Sequence, residues 1–323
     1  MIEKLVREIL LGKNITQKEA LEAAITPVAD DLYDAAHKIT VMMAPRDFDL
    51  CSIVNAKSGA CTEDCKWCSQ SAHYSTESDV YEFIGAEKCL ELARYNEEHG
   101  VGRFSIVTSG RSPDSATFEE ILETVRLIKA NSGIFICASL GLLGEDELRR
   151  LRAAGVERYH CNLEAAPSRF SELCTTHSTS DKIASLKAAR EAGMEICSGG
   201  IIGMGETMEK RVELAFALKE LEIKSIPINI LCPIPGTPLA DEPRLSDEEI
   251  LRTVAVFRLI NPDAHLRFAG GRIQMTEGGV RKALYIGINA AITGDMLTTA
   301  GADIEGDIKL ALNAGYSVTR YSK

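Results

Sequence analysis

The stretch Leu50–Tyr74, "LCSIVNAKSGACTEDCKWCSQSAHY", joins a β-branched apolar run to a polar loop holding three cysteines, Cys61, Cys65 and Cys68. The run is the first of eight alike in character. The others are "RFSIVTS", "IFICASL", "RYHCNLE", "MEICSGGII", "SIPINIL", "HLRFAGG" and "ALYIGINA". Between them lie amphipathic stretches with helix punctuation. Thr117 with Glu120, and Ser246 with Glu249, have the spacing of a capping box, and Gly155 and Gly193 stand where a left-handed residue closes a helix. Strands alternating with helices eight times predict an α/β fold, a (β/α)8 TIM-type barrel. A doubly wound open sheet is the competing arrangement, and no GxGxxG follows the first run to favour it. Barrel active sites gather at the C-terminal ends of the strands, so the cysteine loop is expected on that rim.

Residues 1–40 read as an N-terminal helical extension, with Leu5, Ile9 and Leu10 on one face and Thr16–Glu19 as a capping box. Residues 41–323 read as the barrel with a C-terminal helical segment. The formal charge of −11, from 36 basic and 47 acidic residues, argues against nucleic-acid or anionic-membrane partners. The opening "MIEKLVREIL" carries two acids and no long apolar core, and no run reaches the ~20 apolar residues of a membrane span. A cytoplasmic protein is expected.

Ten cysteines in a chain of this kind point to metal binding or catalysis rather than disulfides. Thiolates bind zinc or iron–sulfur clusters. A structural zinc site closes with four ligands, and His73 is the nearby candidate for the fourth. A cubane four-iron cluster held by three cysteines instead leaves one iron open, the general mark of a catalytic metal. Trp67 offers a flat apolar face beside such a cluster.

The CxxxCxxC spacing, with an aromatic before the last cysteine, resembles the radical S-adenosylmethionine (SAM) superfamily. "GACTEDCKWCSQSAHY", "CSGGIIGMGET", "PINILCPIPGTPLAD" and "RFAGGRIQM" together resemble the biotin synthase family, over residues 40–320. The resemblance implies a [4Fe–4S] cluster on Cys61, Cys65 and Cys68 whose open iron takes SAM. It implies an electron from a flavodoxin- or ferredoxin-type donor, radical abstraction of hydrogen from dethiobiotin, and sulfur insertion from an auxiliary iron–sulfur cluster to give biotin. Family members are usually homodimers.

The family's familiar [2Fe–2S] auxiliary site uses three cysteines and an arginine, and these fall here on Ser105, Cys137, Cys197 and Arg267. The serine departs from the pattern, and serine is a poorer iron ligand than a thiolate. Extra cysteines stand at Cys161, Cys174 and Cys232. The expectation is an altered, four-iron auxiliary cluster on Cys137, Cys197, Cys232 and Cys161, with Arg267 beside it. Strand alternation works against Cys161 if Asn162 faces inward, and buried packing is the alternative for Cys161, Cys174 and Cys89. The resemblance further implies substrate contacts from Asn162 and Asn229, and SAM contacts from Trp67, Glu164 and Lys182. His160 stands where the family often has another asparagine. The glycines Gly199, Gly200, Gly203 and Gly205 suggest either close backbone approach to a ligand or a tight strand-to-helix turn. Rival readings are a hydrogenase-maturation or pyrrolysine-pathway radical enzyme and, from another class, a non-catalytic iron–sulfur or zinc-binding protein.

Overall fold

The computed structural model describes residues 2–294, 297 and 303–318. Three helices come first: α1 (Ile2–Leu10), α2 (Gln17–Ala24) and α3 (Ala29–Met43). The Thr16 hydroxyl accepts from the Glu19 amide at 3.2 Å, and the Glu19 carboxylate accepts from the Thr16 amide at 2.8 Å, so both orphan donors are satisfied. Strands and helices then alternate: β1 (Asp47–Lys57), α4 (Ala86–Glu98), β2 (Arg103–Thr108), α5 (Ser115–Asn131), β3 (Phe135–Ser139), α6 (Glu145–Ala154) and β4 (Arg158–His160). They continue through α7 (Phe170–Leu173), α8 (Thr179–Glu191), β5 (Glu195–Cys197), β6 (Gly200–Ile202), α9 (Met208–Glu220), β7 (Ser225–Ile230), α10 (Asp247–Ile260) and β8 (His265–Phe268). The last elements are α11 (Glu277–Ile286), β9 (Ile288–Thr293), α12 (Ile304–Asn313) and β10 (Ser317–Val318).

Every strand pairing is parallel. The order runs β1-β2-β3-β4-β5-β7-β8-β9, and β9 pairs back to β1 and closes the ring. β5 and β6 share one position, both pairing with β7, so the barrel has eight staves. The strands are buried on both faces, as a sheet wrapped in helices requires, and so read as near-continuous apolar runs. β10 pairs with the start of β1 outside the ring. The N-terminal helices pack on α9, α10 and α11, and their Leu5, Ala20, Leu32 and Ile39 join the same core as the barrel.

Three local expectations need correction. The run "ALYIGINA" is not one strand: Ala283, Leu284 and Ile286 form the buried stripe of α11, and the strand starts at Ile288. A short apolar run fits helix and strand alike, which is why the two were confused. The cap of α5 is Asp114, whose Oδ1 accepts from the Thr117 amide at 3.0 Å; Thr117 already lies inside the helix and donates its hydroxyl to Asp114. "MEICSGGII" is broken into β5 and β6 at Ser198–Gly199. A Cβ on Gly199 would sit 1.8 Å from the Pro227 carbonyl oxygen, and one on Gly200 would sit 2.6 Å from that of Glu164. Neighbouring backbone requires both of these glycines.

Candidate active site

A cavity of about 350 Å³ fills the upper barrel, within the range of small-molecule sites. Inward residues alternate along each stave, as strand pleating dictates: Cys51 and Ile53 on β1, Ser105 and Val107 on β2, Cys137 and Ser139 on β3. Trp67 and Cys68 line its mouth; Arg158, Cys197 and Arg267 lie at its floor.

The cysteine loop leaves β1 and is tied down at two ends. At its base the Gln70 side-chain oxygen accepts from the Gly59 amide at 3.1 Å and the Ser58 hydroxyl at 3.2 Å, while Cys61 and Ala72 bridge across the loop. At its far side it is stapled to the segment after α7. Asp64 accepts from the Thr175 amide at 2.8 Å, Lys66 donates to the Leu173 carbonyl at 3.0 Å, and Glu63 meets His177 Nδ1 at 2.5 Å. Trp67 packs edge-on to Phe170 at 6.2 Å.

Cys61, Cys65 and Cys68 do not approach one another to the spacing of ligands on a single ion, and the His73 ring is bonded to the Thr62 carbonyl at 3.0 Å. The donor set, three thiols of one loop with the His73 ring engaged elsewhere, has the chemistry that would hold a [4Fe–4S] cluster. Burial pushes the Cys68 thiol up to about 11, an unfavourable state for a bare thiolate that bonding to iron would relieve. Cys174, one of the extra cysteines, for which buried packing was the alternative, lies with its sulfur 3.7 Å from that of Cys65 and 3.3 Å from His177 Nδ1. Its interaction with Cys65 holds its pKa down to about 7. Cys65, Cys174 and His177 bring one ligand atom each within 4.8 Å of the others. The signal for this group was present: Cys174 and His177 are three residues apart, after the fourth strand and hence on the rim.

Glu164 takes a left-handed conformation, φ 69°, rare outside glycine, and hydrogen-bonds β6 through its own backbone. Its carboxyl Oε2 is buried without a hydrogen-bond partner, and burial raises its pKa. A buried acceptor left open beside the cavity is a place for a ligand's donor. Lys182 is buried on α8 outside the cavity wall, 5.7 Å from the Phe170 ring centre. Burial opposes its charge, but Cys161, Glu164, Cys65 and Cys174 outweigh that and raise its pKa. Asn162 and Asn229 both line the cavity and are fixed by backbone. Asn162 Oδ1 accepts from the Gly199 amide at 2.8 Å, and Asn229 Oδ1 from the Gly270 amide at 2.9 Å. His160, inward between them and the floor, has its pKa lowered by burial to about 4 and stays neutral.

At the floor Asp49 organises three arginines. Its Oδ1 accepts from Arg103 at 3.2 Å and its Oδ2 from Arg158 at 3.1 Å and Arg267 at 2.8 Å. Burial alone would raise the Asp49 pKa, but Arg267, Arg158 and Arg103 hold it far below the usual carboxylate range. Cys137 and Cys197 line the cavity beside this layer. Cys161 and Cys232 do not join them. Cys161 follows inward His160 and precedes inward Asn162, so pleating turns it outward into the core between sheet and helices. Cys232 lines the mouth, where Gln274 Nε2 donates to it at 3.1 Å. It lies seven residues past Ser225, the register partner of Cys197, on the order of 20 Å further up the stave. Arg267 is on the wall, but its guanidinium is taken up by Asp49 and the Ala291 carbonyl.

Comparison with known proteins agrees with this geometry. The radical SAM superfamily model matches residues 56–218, and the Biotin and Thiamin Synthesis associated domain matches residues 227–317. The chain is 53% identical to a biotin synthase of Porphyromonas gingivalis, across 99% of this chain and 97% of that one. It is 50% identical to a biotin synthase of Parabacteroides distasonis, across 98% and 97%. Among solved structures, methylornithine synthase superposes with a TM-score of 0.83 at 18% identity, covering 98% of this chain and 97% of that one. A maturase of the [FeFe]-hydrogenase superposes with 0.83 at 15% identity, covering 99% and 76%. The last two share the fold; sequence kinship lies elsewhere. The chain belongs to the biotin synthase family of radical SAM enzymes.

Proposed function

We propose that this enzyme converts dethiobiotin to biotin by radical insertion of sulfur. The observation that carries the reading is one cavity with a three-cysteine loop at its mouth and cysteines at its floor, with a substrate-sized space between. In this reading Cys61, Cys65 and Cys68 hold a [4Fe–4S] cluster, and an auxiliary iron–sulfur cluster sits at the floor. Bound there, the first cluster would supply the electron for reductive cleavage of SAM, and the auxiliary cluster would supply sulfur.

The chain's own groups bind, orient and exclude water. Trp67 closes one wall of the SAM site with an apolar face. The open Glu164 Oε2 accepts a hydrogen bond from SAM, and Lys182 offsets the negative charge of the thiolate loop from beneath. Asn162 and Asn229, locked by Gly199 and Gly270, each retain capacity to pair with a ureido ring, which needs both donors and acceptors. Neutral His160 adds a group that bonds without charge. The reading extends to a flavodoxin- or ferredoxin-type electron donor, a cytoplasmic setting and a homodimer.

The test is an anaerobic assay with SAM, reductant and dethiobiotin. Biotin and 5′-deoxyadenosine are both expected. Formation of 5′-deoxyadenosine without biotin would keep the radical chemistry and remove the substrate assignment; neither product would remove both.

A further inference from the structure

The first strand brings a thiol to the floor that the sequence reading left unused. Cys51 lines the cavity, one inward position before Ile53, which is in register with Ser105; Ser105 in turn is in register with Cys137. Cys51 is in register with Arg103 on β2, and Cys137 with Arg158 on β4, so both thiols stand at the level of the arginine layer.

We propose that Cys51, Cys137 and Cys197 are the three thiolate ligands of the auxiliary cluster, with Cys51 on β1 supplying the sulfur that Ser105 on adjacent β2 lacks. This rests on the auxiliary-cluster reading above and names its ligands.

Two observations carry it. All three thiols face the one cavity from separate staves, whereas Cys161 faces the helix layer and Cys232 belongs to the mouth. A thiolate binds iron better than a serine hydroxyl, so a thiol on the stave beside that of Ser105 makes the hydroxyl unnecessary as a ligand.

Cys51→Ala, reconstituted anaerobically with iron and sulfide, is expected to retain about four irons per chain, the content of one cubane. It should keep the rim-cluster signal in the Mössbauer spectrum and lose the auxiliary one. Cys137→Ala and Cys197→Ala should do the same, and Cys161→Ala should keep the wild-type iron content. Adding Ser105→Cys to Cys51→Ala should restore auxiliary iron. If the alanine variant does not fold, Cys51→Ser, closer in size, is read in its place. Wild-type iron and an unchanged spectrum in the Cys51 variant, with loss in the Cys137 and Cys197 variants, would overturn the assignment of Cys51 and leave the auxiliary cluster standing. No loss in any of the three would overturn both.

Discussion

The mouth and the floor of the barrel are built in opposite ways. The mouth takes the three closely spaced thiols, Cys61, Cys65 and Cys68, from a single loop and fixes them with local hydrogen bonds and one staple, Asp64 to Thr175. The floor takes its thiols and charges from separate strands: Cys51 and Asp49 on β1, Arg103 on β2, Cys137 on β3, Arg158 on β4, Cys197 on β5 and Arg267 on β8. A loop site is carried by spacing along the chain. A strand site exists only when the ring closes, because no two of its staves are joined by fewer residues than a crossover. The spacing of the loop thiols is therefore set locally, while the floor and the fold stand or fall together.

The largest expected effect separates the two ends by chemistry. Cys65→Ala should reduce 5′-deoxyadenosine formation to background, as measured by chromatography of anaerobic reactions; persistent cleavage of SAM would remove the loop from the radical step. Cys197→Ala should retain part of that cleavage and yield no biotin. Equal loss of both products would mean that mouth and floor do not act separately.

Asp49→Asn tests whether the floor is a folding element as well as a site. Removing one partner of a buried ion network typically costs ~3–5 kcal/mol. Denaturant unfolding of the metal-free protein should show a loss of that size, since buried Asp49 joins Arg103, Arg158 and Arg267. A loss below about 1 kcal/mol, the scale of exposed pairs, would mean that the arginines find other partners without it. The smallest effect is expected at Cys161→Ala, where a buried sulfur is lost from the core: about 1 kcal/mol of stability, with wild-type iron content. A drop in iron there would return Cys161 to the site and break the distinction between inward and outward faces.

The sequence carried the eight-stave alternation because strands buried on both faces stay apolar throughout, and it carried the rim loop because three cysteines within eight residues leave few other uses. It carried the capping boxes at Thr16 and Ser246, whose partners lie three residues away. It missed where "ALYIGINA" changes from helix to strand, since Leu284 and Ile286 are apolar for α11 and would be equally so for a strand.

What tertiary structure alone decided was which cysteines meet. Cys161 looked like a ligand by its place near a strand end, and pleating turned it away. Cys51 had no assigned role and Cys174 no partner; ring closure turned Cys51 into the cavity that Cys137 lines, and the loop staple brought Cys174 to Cys65. The reason is the range of the forces involved. Helix caps, turns and loop chelates depend on residues a few positions apart, and spacing records them. The direction of an inward side chain and the identity of its neighbour across the barrel depend on register between strands tens of residues apart, which no local pattern records.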